Sequence, residues 1–242
     1  MRKLLVIFIA LAATVPAFSQ TTPPVKKKKF NLGNRTGDHF MLQVSRDSWT
    51  GAADSVSSRI KEFSKGFNAA LMLDLPFKSN QRFSAALGLG VSTSSIGFKK
   101  TIVDISAQTP TLPFLAVDTV NHFKKFKLTT AYLEVPLELR FTSNPETPAK
   151  TFKAAIGLKL GTLVNAHTKG KTLQDGSDNT INSLTQKVTA KSYFNSTRFA
   201  ATARVGYGYF SIFGSYNITT VFKDVVAPDT KLLQIGLTIS GL

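Results

Sequence analysis

Residues 131–141 read Ala-Tyr-Leu-Glu-Val-Pro-Leu-Glu-Leu-Arg-Phe. Successive side chains of an extended strand point to opposite faces. Leu133, Val135, Leu137, Leu139 and Phe141 therefore share one face, and Tyr132, Glu134, Pro136, Glu138 and Arg140 share the other. The same period recurs along the chain. Residues 153–164 set Ala154, Ile156, Leu158, Leu160 and Val164 against Lys153, Ala155, Gly157, Lys159 and Gly161. Residues 81–91 set Phe83, Leu87, Leu89 and Val91 against Arg82, Ser84, Gly88 and Gly90, and the closing stretch alternates Leu233, Ile235, Leu237 and Ile239 with Gln234, Gly236, Thr238 and Ser240. One face is aliphatic; the other is small, polar or charged. A water-soluble barrel would turn its aliphatic face inward and carry Lys, Glu and Thr outside. Gly, Ala and Ser are poor solvent-facing strand residues, but they suit the narrow interior of an eight-stranded barrel. The pattern therefore points the aliphatic face outward, toward lipid.

Eight such runs are expected, at 37–46, 65–77, 81–98, 125–142, 150–165, 196–207, 209–222 and 230–242, with a short helix over Ser55–Phe63. The connections between them alternate long and short. That asymmetry, with an even strand count, is the mark of an all-β, eight-stranded antiparallel up-and-down transmembrane β-barrel: short periplasmic turns, long outward loops and both termini periplasmic. Closure also pairs every backbone amide, as a bilayer requires. Aromatic residues near the strand ends (Phe40, Phe67, Phe77, Phe98, Phe126, Tyr132, Phe141, Tyr207, Phe210 and Phe222) are expected to form interfacial girdles. Pro136 cannot donate a ladder hydrogen bond, so a β-bulge is expected beside it.

The amino terminus carries an export signal: Arg2 and Lys3, the apolar run Leu4–Ala13, then Pro16-Ala17-Phe18-Ser19 with small residues at the cleavage positions. That run is shorter than the roughly 20 apolar residues a spanning helix needs. The domain reading is a signal peptide at 1–19, a disordered basic periplasmic leader at 20–36 containing Lys26–Lys29, and the barrel at 37–242. The 242 residues contain no cysteine, which excludes a disulfide scaffold, a thiolate metal site and a cysteine nucleophile. Thirty Lys and Arg against 14 Asp and Glu give a net charge of +16, which calls for an anionic partner. For an exported chain that partner is outer-membrane lipid and lipopolysaccharide or an envelope protein, with no nucleic acid expected.

The segments YLEVPLELRF (132–141), AAIGLKLGTLV (154–164), VGYGYFSIFGSYNITTVF (205–222) and LLQIGLTISGL (232–242) resemble the PorT-like family, small outer-membrane β-barrels of Bacteroidota. The resemblance spans about residues 37–242. It implies the barrel fold and an integral outer-membrane location, and the family's association with secretion adds an accessory role in protein export to the expected function, a non-enzymatic structural, adhesion or assembly component. It supplies no catalytic residues.

Asp74, Arg82, Glu134, Glu138, Arg140, Lys153, Lys159 and Arg204 fall on the minor face, and are expected to form a lumen ion network because unpaired buried charge is costly. A turn centred near residue 146 would set Glu134 beside Lys159 and Arg140 beside Lys153. Lys99, Lys100, Lys124, Lys125, Lys127, Lys169, Lys171, Lys187 and Lys191 lie in or at the base of long loops and are expected to contact lipid A phosphates. His39, His122 and His167 are scattered without metal-ligand spacing, so neither a metal nor a cofactor is expected. Gly170-Lys171-Thr172 lacks the first glycine of a phosphate-binding loop, and no nucleophile elbow occurs. Alternatives are a lipid A-modifying enzyme using His122 and His167, a small-solute pore, and a soluble periplasmic lipocalin-like ligand binder.

Overall fold

A computed structural model describes residues 39–241; the signal peptide and leader expected above lie outside them. In chain order the elements are β1 (Phe40–Thr50), α1 (Asp54–Ser57), β2 (Lys65–Pro76), β3 (Phe83–Phe98), β4 (Thr101–Val103), β5 (Phe114–Ala116), β6 (His122–Thr142), β7 (Phe152–Gln174), β8 (Thr180–Thr189), β9 (Thr197–Tyr207), β10 (Phe210–Asn217) and β11 (Lys231–Ser240). Strands β1, β2, β3, β6, β7, β9, β10 and β11 each pair antiparallel with the next, and β11 returns to β1. The ring is closed, so it has no edge to expose unpaired amides to lipid.

The connections 77–82, 143–151 and 208–209 lie at one end with the ends of the ring, and 51–64, 99–121, 175–196 and 218–230 lie at the other. The turn at 208–209 is the tightest. Gly208, at φ 61°, supplies the positive φ that a two-residue hairpin needs at its first position.

The aliphatic face points out. Leu137, Leu158 and Ile235 are 41, 39 and 55% exposed, as are their outward neighbours along every ring strand. This excludes the lipocalin-like alternative, whose aliphatic side chains would fill the interior. Phe77, Phe83, Phe152, Tyr207 and Phe210 stand exposed around the short-turn end, and Phe67 and Tyr216 toward the other, where amphipathic and aromatic rings meet headgroups.

Above the band the interior changes character. Inward positions on β3 and β6 become Ile96, Phe98, Phe126 and Leu128, which pack with Val103, Ile105, Leu112, Phe194 and Phe222 from the long connections. Trp49 meets Phe98 and Phe222 edge-on, with ring centroids 5.7 and 5.4 Å apart. Phe98, Phe126, Tyr132 and Phe222, expected as girdle residues, are instead buried inside this cap. Phe98, Phe126 and Tyr132 stand in the inward series of β3 and β6, so the girdle expectation had their face wrong; depth along the barrel decides that they meet an apolar cap and not the charged lumen.

Other departures are local. β7 runs on to Gln174 and pairs with β8 where a loop was expected, and β10 stops at Asn217. The helix is reduced to Asp54–Ser57. The register shift on β6 falls between Ala131 and Tyr132, not at Pro136. At Pro136 the ladder to β3 breaks without a shift: Leu87 pairs with Leu137 and Gly90 with Glu134, while Gly88 and Leu89 are unpaired to β6.

Leu158→Arg should lower the unfolding free energy by about 2–4 kcal/mol, the cost of a cation near the bilayer midplane. Denaturant unfolding of the folded protein in lipid vesicles measures it.

Candidate functional sites: the charged lumen and the basic rim

The lumen is built on small residues. β7 presents Ala155, Gly157 and Gly161 inward between β6 and β9. Glu134, Gly161 and Arg198 lie in one row across the three strands, and Arg140, Ala155 and Arg204 in another. With nothing larger between them, side chains from β6 and β9 reach each other over β7. A Cβ on Gly161 would come 3.1 Å from Glu134 Cγ, and one on Gly157 would come 2.1 Å from the Leu137 carbonyl oxygen.

Two clusters result. Near the short-turn end Glu138 Oε2 accepts from Arg140 Nε at 2.8 Å and from Arg204 Nη2 at 3.1 Å. Arg140 Nη1 lies 3.6 Å from Asp74 Oδ1, which also accepts from Ser84 Oγ at 2.6 Å. Higher up, Arg198 Nη1 lies 2.7 Å from Glu134 Oε1, a close charge contact without hydrogen-bond alignment. Arg198 also donates to Ser92 Oγ (2.9 Å), Asn217 Oδ1 (2.8 Å) and Gln234 Oε1 (3.1 Å), and its guanidinium sits 5.4 Å from the Tyr132 ring centroid. Lys159 Nζ donates to Gln43 Oε1 at 3.1 Å. Gln43 Oε1 also accepts from Asn68, which in turn accepts from Ser92.

The structure thus places Asp74, Glu134, Glu138, Arg140, Lys153, Lys159 and Arg204 in the interior. Arg82 is a correction: it lies in the β2–β3 turn, exposed, because β3 begins only at Phe83. The expected register is also off by two residues. Glu134 stands opposite Gly161 and Arg140 opposite Ala155, since the turn closes later than residue 146 implies. Sequence reasoning missed Arg198, 2% exposed, and Asp47, whose carboxylate accepts from Ser45 and Gln234. Arg198 alternates with outward Phe199, so its inward face was legible; its partners, far apart in the chain, were not.

Outside the lumen, the lysines divide. Lys125, Lys127, Lys169 and Lys171 line one groove of about 560 Å³ with Lys61 and Lys65, two residues the sequence reading did not select. Lys187 pairs in register with Lys169 beside it. Lys99 and Lys191 are exposed on the loops, Lys124 is exposed near the start of β6 with its carbonyl accepting from Lys61 Nζ at 3.3 Å, and Lys100 is engaged by Asp178 at 3.2 Å. His122 Nε2 lies 2.9 Å from the other Asp178 oxygen, so the β7–β8 turn is clasped to the 99–121 connection. His167 bonds Asn165 at 2.8 Å. Among the described residues no three His, Asp or Glu side chains are grouped to hold a metal.

Two substitutions probe these contacts. Arg198→Ala leaves Glu134 buried and unpaired, and should cost about 3–5 kcal/mol of stability; the Glu134→Gln, Arg198→Met pair should recover most of it in the same unfolding measurement. The Asp178 clasp should respond to acid. Its hydrogen bonds to Lys100, then to His122, hold the Asp178 carboxyl below its ordinary 3.8. A depressed carboxyl stabilises the fold above that ordinary value, and loses the contribution as pH falls through the lower folded value. Hydrogen exchange of residues 175–179, corrected for intrinsic rate, should be protected at pH 5 and lose protection at pH 3.

The sequence matches the family described as outer membrane protein beta-barrel domain over residues 18–223. No curated protein matches it. Among solved structures, Ail, the attachment invasion locus protein of Yersinia pestis, is similar at 13% identity and a TM-score of 0.36, over 83% of this chain and 94% of that one. Ail in complex with the heparin analogue sucrose octasulfate is similar at 12% identity and a TM-score of 0.36, over the same shares. The family match takes in every ring strand from β1 to β10, and the chain belongs to the outer membrane protein beta-barrel domain family.

Proposed function

We propose that this outer-membrane protein is a sealed, non-enzymatic barrel that anchors a folded β-rich cap for adhesion or assembly at the cell surface. The observation that carries this reading is the filled lumen. Beside Lys159 and Glu134 a cavity of about 10 Å³ remains, at most the room for one water. On either side of it Glu138 accepts from Arg140 and Arg204, and Arg198 lies against Glu134. The asymmetry of the connections supports placing the long-loop end outward and both termini in the periplasm. The cap supports a surface role, because its own apolar core holds the loops in one shape. Lipopolysaccharide is the surrounding partner this orientation supplies. The resemblance to PorT-like barrels supports a role accessory to protein secretion through an envelope partner.

A lipid A-modifying enzyme fits less well. His122 is opposite Gln174 and His167 opposite Thr129, about 23 Å apart along the strands at 3.3 Å per residue. Each is engaged by its own neighbours, so the two do not converge on a substrate.

Planar-bilayer recording of the purified protein should show no steps of nanosiemens size. Steady conductance of that size would overturn the sealed reading in favour of a small-solute pore.

A further inference from the structure

We propose that the groove between Lys61, Lys65, Lys125, Lys127, Lys169 and Lys171 seats the phosphorylated headgroup of an outer-leaflet lipid. The inference rests on the orientation proposed above and names the site of contact. The outward face of β6 is apolar from Phe141 to Leu133, passes through Ala131 and Thr129, and becomes Lys127 and Lys125. On β2 the outward series ends at Phe67 and is followed by Lys65. The groove therefore opens directly above the lipid-facing band, where long lysine stems lie along apolar surface and carry their charge to the headgroup level.

The register concentrates like charge. Lys127 pairs with Lys169, which pairs with Lys187, and Lys125 pairs with Lys171. Like charges directly opposed across strands are destabilising. Among the described residues none of the six groove lysines lies within ion-pair distance of a carboxylate. Two groups beyond the band feel the clustered charge in addition to burial. Burial, then Lys125 and Lys99, holds the Lys61 ammonium below its ordinary value; burial, then Lys187, Lys127 and Lys169, does the same to the His167 imidazole. A polyanion from outside removes this repulsion. Phe63, 76% exposed at the rim, offers an apolar surface beside the charges. At about 560 Å³ the groove is within the range of small-molecule sites.

The test uses the full chain in neutral detergent, titrated with bisphosphorylated lipid A and with the same lipid enzymatically stripped of phosphate. The expected result is at least tenfold tighter binding of the phosphorylated form. Lys65→Gln, Lys127→Gln and Lys169→Gln together should remove that preference, while Lys150→Gln with Lys191→Gln, both exposed away from the groove, should not. Heat-modifiable migration in detergent gels verifies that each variant is folded. Equal binding of the two lipids, or an unchanged preference in the triple variant, would overturn the proposal. Displacement of lipid A by inorganic pyrophosphate at the lipid's own affinity would also overturn it, by showing a free-anion site. These outcomes are independent of conductance. A conducting barrel with phosphate selectivity would sink the sealed reading alone, and a silent barrel without selectivity would sink the groove alone.

Discussion

A bilayer offers no water to an unpaired backbone amide, and that constraint governs this protein. Only a closed ladder satisfies it with strands, and a ring of eight leaves an interior wide enough for side chains and no wider. Once the ring is closed, the distribution of residue types follows. Aliphatic side chains gain nothing inside and face lipid. The interior must take what lipid rejects, so charge collects there and has to be neutralised in place.

Neutralisation depends on residues without side chains to speak of. Ala155, Gly157 and Gly161 make β7 a low floor between β6 and β9, over which Glu134 meets Arg198, and Arg204 meets Glu138. Buried charge pairs of this kind are weak evidence for net stability, because each ion loses its water. Here the comparison is different: the alternative to a paired charge in a narrow barrel is an unpaired one. The same side chains are buried in the interior, which supports anchoring over transport.

Beyond the lipid band the rules reverse within the same strands. Water now bathes the outside, so Lys125 and Lys127 appear on the outer face of β6 while Phe126 and Leu128 turn inward. At this end the strands and long connections enclose a hydrophobic core, continuous with a barrel whose interior is polar. The repulsive row of lysines at the junction is the one feature that neither half explains by itself, and an anionic leaflet is the environment that would.

Much of this was legible in residue order. The two-residue period over 131–141 and its repeats determined strand identity, the outward aliphatic face and the closed eight-stranded ring, because alternation and connection length are local properties of the chain. Partners were not legible. Arg198 joins Glu134, Ser92, Asn217 and Gln234 from four other strands, and Lys61 and Lys65 join lysines sixty or more positions away. Phe98 and Phe126, expected in a lipid-facing girdle, belong by their parity to the inward series of β3 and β6. A strand's own sequence states which side a residue takes. Register around the ring and height along its axis decide what it meets there, and both are set by turns and closure that only the folded chain possesses.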